Sequence, residues 1–117
     1  MQYDFYEARS FDKDSKFGKI KASDRERLEF DIMSGRGEII AGTGGLKQIH
    51  CGLGGCYGTT DGWQVVFSDY PEHSITFLLI RFPDKFKTSL SREEIKELKY
   101  IKQILDEAVK KKYGKGT

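Results

Sequence analysis

Lys47, Arg81, Lys85 and Lys87 are cations that fall on, or just after, segments predicted as strands. His50 stands among them, and an imidazole can give or take a proton near neutral pH. Rings interleave with these charges: Tyr57, Trp63, Tyr70, Phe82 and Phe86. If the strands are neighbours, one concave sheet surface would gather both kinds of group. Positive charge meets phosphates and flat rings meet unstacked bases, a combination that suits single-stranded RNA. The plainer reading is solvated strand ends above a core of aromatic side chains, with His50 a hydrogen-bonded structural residue.

The segment that must position them is Gly35–Cys51. Its centre, Gly42-Thr43-Gly44-Gly45-Leu46-Lys47, predicts a sharp turn, because glycine takes positive φ without a Cβ clash. The strand leaving it alternates its side chains. Leu46, Gln48 and His50 share one face, while Lys47, Ile49 and Cys51 take the other. The turn is no phosphate loop, since Gln48 follows Lys47 where Ser or Thr is required. It is no dinucleotide fingerprint either, since Lys47 occupies the place of the third glycine. Ten of the thirteen glycines lie between Gly35 and Gly62. That clustering reads as turns around a site or a mobile loop.

His50, Cys51, Cys56 and His73 are the only His and Cys residues, and neighbouring strand positions point His50 and Cys51 to opposite faces. One tetrahedral ion would struggle to use both, so no metal site is expected. His73 falls in a turn and reads as exposed. Two cysteines are too few for a disulfide framework and read as thiols.

In chain order, Tyr3–Glu7 reads as an aromatic strand and Phe11–Phe17 as a short helix ending at Gly18. Ser23-Asp24-Arg25-Glu26 has the form of a capping box, opening a helix with Leu28, Ile32 and Met33 along one side and a stop near Ser34-Gly35. Glu38-Ile39-Ile40 is a short extended piece. Trp63–Ser68 and Ser74–Phe82 read as a strand pair joined by a turn at Asp69–His73. The second strand carries apolar residues on both faces and should be covered on each side. Ser91-Arg92-Glu93-Glu94 is a second capping box. The helix behind it spaces Ile95, Leu98, Ile101, Ile104, Leu105 and Ala108 for packing on the sheet. The tail Lys110–Lys115 reads as frayed. Strand, helices, antiparallel sheet and C-terminal helix make a small α+β fold.

The chain has 117 residues, enough for one domain over 1–117 with its own core. It is 38% hydrophobic and 32% charged, which excludes disordered and membrane classes. Met1–Phe5 lacks the basic and apolar regions of a signal peptide, so the expected location is the cytoplasm. Twenty Lys plus Arg against eighteen Asp plus Glu leave a net charge of +2. Any nucleic acid would therefore be held by a local patch, not by the whole-molecule field.

Gly37-Glu38-Ile39-Ile40-Ala41-Gly42-Thr43-Gly44-Gly45-Leu46-Lys47-Gln48-Ile49-His50 resembles the signature of RelE/HigB-type toxins of bacterial toxin–antitoxin systems. The resemblance continues through a glycine loop, strands like Gln64–Phe67 and Phe77–Ile80, a Lys-containing loop, and a helix opened by Leu90-Ser91-Arg92-Glu93-Glu94. It covers about Phe5 to Leu105. It implies a curved antiparallel sheet with N-terminal helices and a C-terminal helix, and a metal-free, cofactor-free endoribonuclease that cuts messenger RNA on the ribosome. It also implies a cognate antitoxin as partner, no membrane, and operator DNA reached only through the antitoxin complex.

Carried over residue by residue, the resemblance makes Lys47, His50, Arg81 and Lys85 the candidate catalytic set. Tyr57, Trp63, Gln64 and Lys87 become the candidate RNA-binding set. The chain departs from the family where Gln48, His50 and Gln64 replace cations and where Tyr57–Gly62 holds none. Three readings stay open: a rearranged catalytic set, a different target such as the DNA gyrase of ParE-like toxins, or a catalytically weak or inactive binding module of the same fold.

Overall fold

Five strands and two helices are seen in the computed structural model, which describes residues 3–11, 20–51, 62–83 and 89–113. The strands are β1 (Asp4–Glu7), β2 (Glu38–Ile39), β3 (Lys47–Cys51), β4 (Trp63–Tyr70) and β5 (Ile75–Pro83), and the helices are α1 (Ala22–Met33) and α2 (Arg92–Tyr113). The sheet is open, in the order β1-β5-β4-β3-β2. The fold is α+β with a C-terminal helix, as the sequence indicates. The sheet is mixed, however. β2 to β5 pair antiparallel, while β1 runs parallel to β5. No hairpin joins β1 to its neighbour, so nothing forces it antiparallel. The expected helix at Phe11–Phe17 lies outside the described residues apart from Phe11, which is fully buried.

Alternation along the strands divides the core. Ile49, Val65, Phe67 and Leu78 face α1 and meet Phe11, Leu28 and Ile32. Val66 and Leu79 face α2 and meet Leu46 and Leu98. Further along that face, Tyr70 and Ile75 meet Val109. β5 is therefore covered on both sides, as its apolar pattern predicts. Its register against β4 slips between Val66 and Phe67, which pair with Ile80 and Leu78. The extra residue, Leu79, joins its neighbour Ile80 in the layer under α2, so two consecutive residues share one face.

Helix ends follow the residues that can cap them, with one correction. At α2 the box forms: Glu94 N–H donates to Ser91 Oγ at 3.1 Å, and Ser91 N–H donates back to a Glu94 carboxylate oxygen at 2.8 Å. At α1 the box over Ser23–Glu26 does not form. The helix starts earlier, with Lys21 at the cap position, and no side chain caps it. Lys21 already supplies the first carbonyl, to Arg25 N–H, which leaves Ser23 inside the first turn. Gly35, at φ +85°, closes α1 as expected.

α2 also corrects the expected packing stripe. Leu98, Lys102 and Val109 are buried, whereas Ile101 and Ile104 are 37% and 50% exposed. The lysine tail is helical through Tyr113, whose ring stacks on His73 at 4.8 Å. Three lysines in the last turn also suit the helix dipole.

The glycine turn is built for α2. Gly42, Gly44 and Gly45 all have positive φ. A Cβ at Gly42 would stand 3.3 Å from Ile95 Cγ2, and one at Gly45 would stand 3.4 Å from Lys102 Cε. Inside the turn, the buried Thr43 hydroxyl donates to Ile40 O at 2.7 Å and accepts from Leu46 N–H at 3.1 Å. Among the described residues, no helix is long and apolar enough to cross a membrane.

Candidate functional site

The sheet's register brings β3, β4 and β5 to a common end. Cys51 pairs with Trp63, and Trp63 with Pro83; one residue inward, His50 pairs with Gln64, and Gln64 with Phe82. His50 is exposed there. Paired strand residues share a face, so His50, Gln64 and Gln48 lie on the α2 side of the sheet. The Gln48 amide donates to the Gln64 side-chain oxygen at 2.7 Å. That bond fixes both amides beside the imidazole.

A hollow of about 480 Å³ opens here, lined by Gly37, Glu38, Ile39, Ile40, Gln48, Ile49, His50 and Gln64. That volume falls within the usual range for ligand sites. Gly37, in its wall, has φ +116°, and a Cβ there would stand 2.9 Å from Cζ of the buried Phe67. Among the described residues that line the hollow, the sole formal charge is the Glu38 carboxylate.

The other expected site residues separate. Lys47 pairs with Phe67 and lies on the face opposite His50, as strand alternation requires. Arg81 pairs with Val65 on that same opposite face and is 2% exposed. Its guanidinium carbon lies 4.5 Å from the Trp63 ring and 5.5 Å from the Phe11 ring. Arg81 and Trp63 are thus brought together, but with each other and inside the core. Tyr57, Lys85 and Lys87 lie outside the described residues. Two of the eight expected residues, His50 and Gln64, line one hollow. No three of His, Cys, Asp and Glu gather as a metal site among the described residues.

Sequence reading missed a polar cluster on the α2 side. Lys102 Nζ lies 2.8 Å from an Asp106 carboxylate oxygen, 3.2 Å from Ser68 Oγ and 3.4 Å from Tyr70 Oη. It also sits 4.5 Å from the centre of the Tyr70 ring. The Tyr70 hydroxyl donates to Asp106 at 2.6 Å. Burial first, then that bond, raises the Tyr70 pKa above the ordinary phenol value. The signal was available: Lys102 occupies a core-facing position between Leu98 and Leu105, where an apolar residue is expected. Its stem lies against the glycine turn, so the cluster ties α2, β4 and the turn together.

No family model matches this chain, and no curated protein matches it.

Proposed function

We propose that this chain is a toxin of the RelE/HigB type, which arrests translation in the cytoplasm by metal-independent cleavage of ribosome-bound messenger RNA and is neutralised by a cognate antitoxin. One observation carries the reading: β3, β4 and β5 end on a common rung, and that end holds the exposed His50 beside two fixed amides. The segment containing Tyr57 leaves from β3, and the segment containing Lys85 and Lys87 leaves from β5 just after Pro83.

In this reading the ribose 2′-oxygen attacks the adjacent phosphorus and gives its proton to a base. The bond to the 5′-oxygen breaks, and that oxygen takes up a proton. The products are a 2′,3′-cyclic phosphate and a 5′-hydroxyl. His50 serves as acid or base. The amides of Gln48 and Gln64 and the cations Lys85 and Lys87 meet the charge that grows on the phosphate oxygens. Arg81 acts through Trp63, holding its ring in place. Lys47, on the far face, does not close on the same phosphate as His50.

Induced expression with transcript-end mapping tests the proposal. It expects growth arrest and new transcript ends, both suppressed by the antitoxin. Arrest with intact messages rejects cleavage, and DNA damage in such cells points to a gyrase-type target. A second reading, a binding module without cleavage, is favoured by the lack of Lys or Arg among the described residues of the hollow. It expects harmless expression and a stable partner complex.

A further inference from the structure

α2 carries a second stripe beside the one that meets the sheet. Glu94, Glu97, Ile101, Ile104, Ala108 and Lys111 alternate spacings of three and four residues, the seam of a heptad repeat. Ile101 is 37% exposed, Ile104 50% and the adjacent Tyr100 65%. The helix is about 33 Å long, and the stripe runs along most of that length. Near its end, Ala108 joins Tyr6, Phe77 and Tyr113 around an apolar hollow of about 220 Å³. Tyr6 stands on β1, an edge strand of the sheet, and is 43% exposed.

The order of residues along this stripe selects its occupant. About the midpoint between Lys102 and Gln103 the stripe complements itself in the reverse direction. Ile101 falls opposite Ile104, Glu97 opposite Ala108, and Glu94 opposite Lys111. We infer that α2 pairs antiparallel with α2 of a second copy of this chain, across a two-fold axis at that midpoint. The isoleucines form the dry centre, and the acidic first turns of each helix meet the lysines of the other's last turn. A parallel pairing would set like charges together at both ends. This inference does not rest on the ribonuclease reading.

Sedimentation of the full chain, from low to high micromolar concentration, tests it. The expected result is a monomer–dimer equilibrium. Ile104→Lys should weaken it at least roughly tenfold, by placing a charge in the dry centre, while the melting curve of this half-exposed position stays near that of the parent. Lys111→Glu should also weaken the dimer. Adding Glu94→Gln, on the residue opposite it, removes the like charge while the amide oxygen still accepts from Ser91 N–H, and should restore part of the dimer. A monomer at every concentration overturns the pairing, as does a dimer indifferent to Ile104→Lys. A monomeric chain that binds a different protein, and loses it with Ile104→Lys, assigns the stripe to that protein and equally overturns the pairing.

Discussion

His50 and Arg81 were both expected in one site, and their surroundings now assign them different work. His50 is exposed at the sheet end, next to a hydrogen-bonded amide pair. If it moves the proton, His50→Ala should cut the rate of transcript cleavage by about 10² to 10⁴-fold with little change in melting temperature. Cleavage unaltered by that change removes His50 from the chemistry. Arg81 lies between Phe11 and Trp63 at 2% exposure. Arg81→Ala should therefore lower stability by about 2–4 kcal/mol, read from urea unfolding, through a lost cation–π contact and a core cavity. The opposed faces of Lys47 and His50 were legible from strand alternation alone. The burial of Arg81 was not, because in sequence a cation in a strand looks the same whether its face meets water or α1. Nor could spacing show that Gln48 and Gln64 would meet, since that depends on the register between β3 and β4.

Elements were legible where local chemistry agreed with the fold, and less so where tertiary contacts decided. The two capping boxes show the difference. Ser91 and Glu94 exchange both bonds, whereas Ser23 lies within the first turn of α1 and caps nothing. Ser91→Ala should cost about 1 kcal/mol in denaturant unfolding, and Ser23→Ala close to nothing. Equal costs would mean that α1 is capped in solution after all. The glycine turn announced itself by composition, but its reason did not: Gly42 and Gly45 are needed because α2 crosses close above them. Gly37 goes further, since a Cβ there would come within 2.9 Å of Phe67, closer than at Gly42 or Gly45. Gly37→Ala should destabilise by about 1–3 kcal/mol, unless Phe67 shifts, and should reshape the hollow beside His50. The split of α2 into a buried face and an exposed heptad seam escaped the sequence because Ile101 and Ile104 at the seam's centre are as apolar as Leu98 and Leu105. A lysine at position 102 even argued against the face that is in fact buried, because its partners Ser68, Tyr70 and Asp106 are gathered only by the fold.

At the scale of the whole molecule, both ends of the described chain fasten to the last two residues of β4. The Tyr3 hydroxyl donates to Asp69, and Thr76 donates to the same carboxylate at 2.8 Å. Next along the strand, Tyr70 donates across the other face to Asp106 of α2. The two phenol–carboxylate bonds thus clamp the N-terminal strand region and the C-terminal helix onto one strand end. Burial first, then the Asp69 bond, pushes the Tyr3 pKa up to about 12, and Tyr70 is raised by burial and then by its own bond to Asp106. An unfolded phenol ionises near pH 10. Between that value and about 12 the folded chain binds more protons than the unfolded one, so stability falls as pH rises. Below pH 10 both states hold the phenol proton and the contribution is fully present. Urea midpoints measured from pH 9 to pH 11.5 should therefore drop, and drop less steeply in a Tyr3→Phe/Tyr70→Phe double variant. Lysines also titrate in that range, but they are common to both proteins, so the difference in slope isolates the phenols. Identical slopes would show that ionising these tyrosines does not loosen the clamp, and that β4 is held to both chain ends by its apolar contacts alone.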